Sequence, residues 1–243
     1  MLAASLDGRL APPDGGAAQI GGRGDRRVLE EALAWADAAL LGAETLRRHG
    51  STCLIHASDL LAARREQGRP PQPLALVASR SGRIPMDLPF FRQPLERWLL
   101  WMQVCRGDQA KAGPATVAAE PRAAGLQGWQ LSAGTREGGC ADFTQVLNPA
   151  DWADALRQLA AAGVQRLVVL GGAALASDLL AEHRIDELQL TLCPHLLGGE
   201  HTWLQASALM APPAGSGAWM LLEHRRLEGE ELLLRYGRPP RLP

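Results

Sequence analysis

Residues 167–175 read LVVLGGAAL, a branched-aliphatic run that stops at Gly171 and Gly172 and restarts as small helix-forming residues. A strand that feeds at once into a helix is the building unit of parallel sheets. The two glycines at the junction have two readings. They make a tight turn, or they open the unpaired N–H groups of a helix N-terminus to a phosphate that no Cβ keeps at a distance.

Outward from this point the same alternation recurs. Strand patterns occupy 36–42 (ADAALLG), 73–79 (PLALVAS), 97–104 (RWLLWMQV), 165–171 (QRLVVLG) and 186–194 (DELQLTLCP). One-faced helices lie between several of them. In 148–163 Asn148 is placed to cap, Pro149 and Asp151 suit the first turn, Gly163 suits the end, and Trp152, Leu156 and Leu159 share a face. Residues 25–36 repeat the design with Asp25 as cap and Val28, Ala32 and Trp35 on one side, and Leu175 and Leu179 do so after the double glycine. Such an order predicts a mostly parallel sheet with helices on both faces.

The last third departs from this plan. Leu188, Leu190 and Leu192 alternate with Gln189, Thr191 and Cys193, as in a strand with two unlike faces. Residues 219–237 break at Glu228-Gly229-Glu230 like an antiparallel hairpin. The expected fold class is therefore α/β, a mixed, mostly parallel sheet flanked by helices, ending in a C-terminal antiparallel hairpin. Residues 64–73 read as a surface loop, and 106–140 are rich in Gly, Ala and Pro, with one helix expected near 115–125 and one strand near 129–131. No linker divides the chain, so residues 1–243 read as a single domain.

Composition narrows the function. With 47% hydrophobic residues and a formal net charge of -1, the chain can bury one core and lacks the basic footprint of nucleic-acid binding. Its four cysteines form no C-x-x-C pair, which fits a reducing cytoplasm. No apolar run approaches the roughly 20 residues that span a bilayer, and MLAASLDG is unlike a secretory leader. Neither nucleic acid nor membrane is expected as a partner.

Known phosphate motifs are missing. Ala110 precedes the only lysine, Lys111, which excludes a Walker loop, and no G-x-G-x-x-G follows the first strand. Two further strand ends nevertheless carry suitable residues, Gly42 and Thr45 in LLGAET and Ser79 and Arg80 in VASRSGR. Ligands of open α/β sheets bind outside the carboxyl ends of strands, so three such ends favour the anion site for a phosphorylated cofactor. His195 and His201 lack companions for a metal site, and none is expected. Ser5 lacks the setting of a nucleophile elbow.

In AASLDGRLA (3–11), DAALLGAET (37–45), VASRSGRIP (77–85), LVVLGGAALASDLL (167–180) and IDELQLTLCPHLLGG (185–199) the chain resembles the reductase domain of riboflavin biosynthesis, the RibD C-terminal or pyrimidine reductase family. The resemblance implies a dihydrofolate-reductase-like fold, an NADPH-dependent reduction of a phosphoribosylamino-pyrimidine to its ribitylamino form, and a homodimer. It implies cofactor contacts at Gly42, Thr45, Ser79 and the segment Gly171, Gly172, Ala173, Ala174 and Leu175. Arg80 is either a clamp on the 2′-phosphate of NADPH or a solvated loop arginine.

Asp7 is the carboxylate of the matched SLDG motif. It either forms the local turn or relays a proton through bound water, and Gln19 is a further cleft candidate. The chain departs from the family pattern at Leu33, at Arg48-His49-Gly50 and at Leu170, where charged residues or an Asp-Asp-Pro stretch are usual. Either Arg47, Arg48 and His49 take over the substrate phosphate, or the substrate is another pterin-like or carbonyl compound. A nucleotide-binding homologue without catalysis is the third alternative. The matched motif begins almost at Met1, so the first strand is expected to be unusually short or to be preceded by more chain.

Overall fold

The apolar runs pair into two sheets in the computed structural model, which describes residues 1–15, 20–102, 142–204 and 218–238. The first holds β2 (Ala38–Gly42), β3 (Leu74–Ser79), β4 (Arg97–Trp101), β5 (Gln145–Leu147) and β6 (Leu167–Val169), all parallel in the order β5-β4-β3-β2-β6. The second holds β1 (Leu2–Ser5), β7 (Glu187–Cys193), β8 (Met220–Arg226) and β9 (Leu232–Gly237) in the order β1-β7-β9-β8. β1 runs parallel to β7, whereas β7, β9 and β8 are antiparallel. The expected parallel sheet and terminal hairpin are both present.

Strands buried on two faces need apolar side chains at every position. Leu40, Leu76 and Leu100 point to one side, against α4 (Trp152–Ala161) and α5 (Ala173–Ala181). Leu41, Val77 and Leu99 point to the other, against Leu46 of α2 (Ala43–His49), Phe90 and Phe143. Beside them Ala39 and Val168 meet Leu33 of α1 (Arg23–Trp35) and Leu60 and Leu61 of α3 (Ser58–Glu66). Each buried leucine contributes roughly 1.5–3 kcal/mol, so these layers rather than helix propensity fix the architecture.

Several local expectations are corrected. α4 starts from Asp151 instead of Asn148, because Asp151 Oδ1 accepts from Asp154 N at 2.7 Å while Asp154 Oδ2 accepts from Ala150 N at 3.0 Å. This reciprocal pair satisfies two orphan donors, which one asparagine cannot do. Gly163 does take the left-handed conformation, with φ +91°. Asp25 does not cap α1, and Trp35 is 52% exposed with Arg166 stacked over it at 5.7 Å, while Leu33 takes the core position.

The stretch 64–73 does not begin as a surface loop. Arg64 is 2% exposed and donates to the carbonyls of Leu33, Ala34, Ala36 and Pro70, closing the carboxyl end of α1. In β7 the fully buried row is Thr191 and Cys193, and the leucines lie on the less covered face. The helix and strand expected at 115–125 and 129–131 lie outside the described residues.

Candidate active site

β6, β2 and β3 are adjacent and parallel, so their carboxyl ends emerge together. This places Gly171-Gly172, Gly42-Thr45 and Ser79-Arg80 along one edge. The closest approach is between Gly172 and Thr45: a Cβ on Gly172 would lie 2.8 Å from Thr45 Oγ1. On Gly171 it would lie 2.7 Å from Leu2 Cδ2. Both residues also have positive φ, +80° and +91°, which only glycine adopts at little cost.

The second glycine is the N-cap of α5 and offers no side-chain partner to the helix. Ala176 N bonds to Gly172 O, which closes the first turn. The N–H groups of Ala173, Ala174 and Leu175 precede that bond, and no acidic residue stands in the turn to neutralise them. Unpaired amides at the positive end of a helix dipole bind anions. Leu175 is 7% exposed and packs into the core, so it offers only its backbone.

At the neighbouring strand end Ser79 is buried, and its Oγ accepts from Gly82 N at 3.0 Å. The hydroxyl thus shapes the loop and keeps one proton to donate. Arg80 is exposed and makes no hydrogen bond or ion pair among the described residues. It lies within electrostatic reach of α5: burial raises the Asp178 carboxyl above its ordinary value, and Arg80 partly offsets this.

The substrate candidates are arranged differently. Arg47 and Arg48 both bond Glu44, at 3.0 Å and 3.1 Å, and Arg47 also reaches Arg83 O. With His49 they form the exposed last turn of α2, at the opposite end of that helix from Gly42, where they complement its dipole. Gln19 lies outside the described residues. Leu33 and Leu170 are packing residues: Leu33 is fully buried beside Ala36 and Ile55, and Leu170 N bonds to Leu40 O.

Asp7 receives Ser5 Oγ at 2.5 Å, Leu197 N at 3.1 Å and Gly198 N at 2.7 Å. The Ser5 hydroxyl first, and then the two amides, hold its carboxyl down at about 2. These three bonds tie β1 to the 197–198 turn. The turn reading has these bonds behind it, and the proton relay through bound water remains a proposal. His195 and His201 serve the same region through backbone carbonyls that accept from Leu6 and Leu10.

One cluster has no signal in the sequence. Glu231, 2% exposed, accepts from the backbone of Gly22 and from Asp25 N, and Cys193 Sγ lies 3.8 Å from it. Burial, with a smaller repulsion from Glu231, raises the Asp25 carboxyl, and burial followed by Glu231 pushes the Cys193 thiol up to about 12. These groups come from α1, β7 and the residue just before β9. No spacing rule joins positions so distant.

The family model described as the RibD C-terminal domain matches residues 1–211. The 2,5-diamino-6-ribosylamino-4(3H)-pyrimidinone 5′-phosphate reductase of Archaeoglobus fulgidus is 24% identical over 198 residues, covering 82% of this chain and 80% of that protein. Among solved structures, a pyrimidine reductase-like protein from Corynebacterium diphtheriae superposes with a TM-score of 0.68 at 17% identity, over 97% of this chain and 89% of its own. RibD of Acinetobacter baumannii superposes with a TM-score of 0.69 at 19% identity, over 98% of this chain and 56% of that one. At such identities the structures establish a shared fold.

Proposed function

Because the chain belongs to the RibD C-terminal domain family, we propose that it is an NADPH-dependent reductase of riboflavin biosynthesis that reduces the ribosylamino side chain of a phosphorylated pyrimidine. The observation that carries this reading is the Gly172–Thr45 approach beside the unpaired first turn of α5. A cradle that a single Cβ would fill, edged by free amides, fits a pyrophosphate. The relative from Archaeoglobus fulgidus is itself named a reductase of such a pyrimidine.

When bound, NADPH supplies a hydride from its nicotinamide C4. The amides of Ala173, Ala174 and Leu175 would hold the pyrophosphate, Gly172 keeps a Cβ out of the space beside the Thr45 hydroxyl, and Gly171 leaves room for Leu2 to pack against the turn. Arg80, exposed and without a hydrogen bond or ion pair among the described residues, is our candidate for the 2′-phosphate, where a guanidinium binds bidentately. Arg47 and Arg48 must leave Glu44 to meet a substrate phosphate.

That competition, together with the burial of Leu33, favours a second reading in which the substrate is a pterin-like or carbonyl compound. Assembly as a homodimer is supported by the half-exposed leucines that β7, β8 and β9 share on one sheet face. No helix among the described residues is long and apolar enough to cross a membrane, and we place the enzyme in the cytoplasm.

Titration with NADPH and NADH, followed by turnover of the ribosylamino-pyrimidine phosphate against a pterin panel, tests the proposal. Sub-millimolar NADPH binding and oxidation that depends on the pyrimidine are expected. Failure to bind NADPH removes the reductase reading. Turnover of a pterin alone selects the second, and tight binding without turnover leaves a nucleotide-binding homologue.

A further inference from the structure

Helix α2 sets an acid and two bases three and four positions apart, on one face. Glu44 Oε2 accepts from Arg47 Nε at 3.1 Å and from Arg47 Nη2 at 3.0 Å, and Glu44 Oε1 accepts from Arg48 Nε at 3.1 Å. This pairing uses one edge of the Arg47 guanidinium and leaves Nη1 to reach elsewhere. It donates to Arg83 O at 3.0 Å, 36 positions along the chain. Arg48 makes no second contact of this kind among the described residues.

Arg83 belongs to the loop that follows β3 and carries Arg80. The base of this loop is fixed: Ser79 Oγ accepts from Gly82 N at 3.0 Å, and Ser79 O accepts from Met102 N at 2.9 Å. Gly82, with φ +66°, lies so close to Trp101 of β4 that a Cβ would stand 3.1 Å from the ring. Ile84 is buried beyond it. Between these anchors Arg80, Ser81 and Arg83 are exposed, and Arg83 N reaches Ser81 Oγ only at 3.3 Å. Arg47 ties this exposed arm to α2, which carries Thr45. Arg80 in turn lies within electrostatic reach of Asp178 in α5, the helix that Gly172 begins. The loop is thus linked to both elements that form the Thr45–Gly172 cradle.

We propose, on the basis of the reductase reading above, that Arg47 is a positioning residue for cofactor choice: it braces the Arg80 loop against α2, so that the site favours a dinucleotide with a 2′-phosphate over one without. An exposed ion pair contributes little by itself. Its effect here is on order, because a loop already held loses little further entropy when it meets an anion. NADPH brings a phosphate to Arg80 and gains from this order, whereas NADH engages the cradle alone. The guanidinium suits the task, since its planar fork serves a carboxylate and a carbonyl at fixed geometry and a lysine ammonium does not. Arg47 then stays on Glu44, and the substrate phosphate is not its partner.

The test measures dissociation constants of NADPH and NADH by fluorescence titration for wild type, Arg47→Leu and Arg48→Leu, with hydrogen exchange over 80–84 in the cofactor-free proteins and the KM of the ribosylamino-pyrimidine phosphate. Arg47→Leu is expected to weaken NADPH about three- to fivefold, the size of one exposed pair, to leave NADH unchanged and to speed exchange over 80–84. Arg48→Leu removes the same charge from the same partner but not the loop contact, and should keep the wild-type ratio of the two affinities. Equal losses of that ratio in both variants assign the effect to charge and overturn the brace. Wild-type ratio and exchange in Arg47→Leu overturn it as well, and a raised substrate KM in that variant then returns Arg47 to the substrate. Wild type that binds neither dinucleotide removes the reductase reading itself and this proposal with it, whereas wild type that prefers NADPH leaves that reading standing whatever Arg47→Leu does.

Discussion

Glu231 accepts a hydrogen bond from the backbone N–H of Asp25 at 2.8 Å across 206 positions of sequence, so the N-terminus of α1 is capped by the residue just before β9. A carboxylate there complements the helix dipole and satisfies donors that Gly22, lacking a side chain, cannot. Glu231→Ala is expected to cost roughly 1–3 kcal/mol, the usual loss for an orphaned buried partner of a charged group. Glu231→Gln keeps an acceptor and should cost less. Denaturant midpoints for the two variants check the order, and equal midpoints contradict the capping role.

The double glycine gives a sharper comparison. Gly163 and Gly172 share a φ of +91°, but a Cβ on Gly163 meets nothing within 4 Å. Alanine at either position carries a similar backbone penalty, of order 1 kcal/mol. Only Gly172→Ala also drives a methyl against Thr45 Oγ1 and into the proposed phosphate cradle. NADPH affinity is therefore expected to fall at least tenfold in Gly172→Ala and to stay unchanged in Gly163→Ala, as read by fluorescence titration.

Much of this was legible in the chain, for a physical reason. Strands at 38–42, 74–79 and 167–169 are buried on both faces, so their order and their glycine-ended tips are written locally as apolar runs and breaks. What stayed hidden is long-range. Arg64 looks solvent-bound in RREQG, yet it closes a helix whose last carbonyl lies 28 residues earlier, and Glu231 looks like a hairpin charge. The leucines of β7 read as its core side because alternation reveals two faces and not which one another layer covers. In the candidate site, three strand ends could be aligned from sequence, whereas the engagement of Arg47 and Arg48 with Glu44 depends on side-chain geometry.

Asp7 makes a prediction about acid. Its folded carboxyl sits at about 2, below the ordinary 3.8, so ionisation of this group stabilises the fold. That contribution is complete above about pH 4 and disappears as pH falls through about 2. Wild type should accordingly exceed Asp7→Asn in stability at neutral pH, and the gap should narrow between pH 4 and pH 2. A gap that persists at pH 2 assigns the difference to shape rather than charge. If Asp7 does supply the reaction's proton, Asp7→Asn instead abolishes turnover while leaving thermal stability and NADPH affinity intact.

The proposed homodimer can be tested on the face of the four-stranded sheet that no helix covers among the described residues. Leu188, Leu190 and Leu192 of β7 stand opposite Tyr236, Leu234 and Leu232 of β9, and Leu221 of β8 stands opposite Tyr236, so these side chains share one surface. Leu221 is 52% exposed and Leu232 36% exposed. A contiguous apolar surface of this kind is a mark of an interface, and a stable one buries about 800 Å² on each partner. Leu221→Glu removes little packing inside the monomer because the residue is 52% exposed, yet across a dimer it would bury an unpaired charge in the interface. Light scattering should show about twice the 26.0 kDa chain mass for wild type and the single mass for Leu221→Glu, with unchanged circular dichroism. A wild-type protein that runs at 26.0 kDa at micromolar concentration would sink the dimer, and a Leu221→Glu dimer would move the interface to another face.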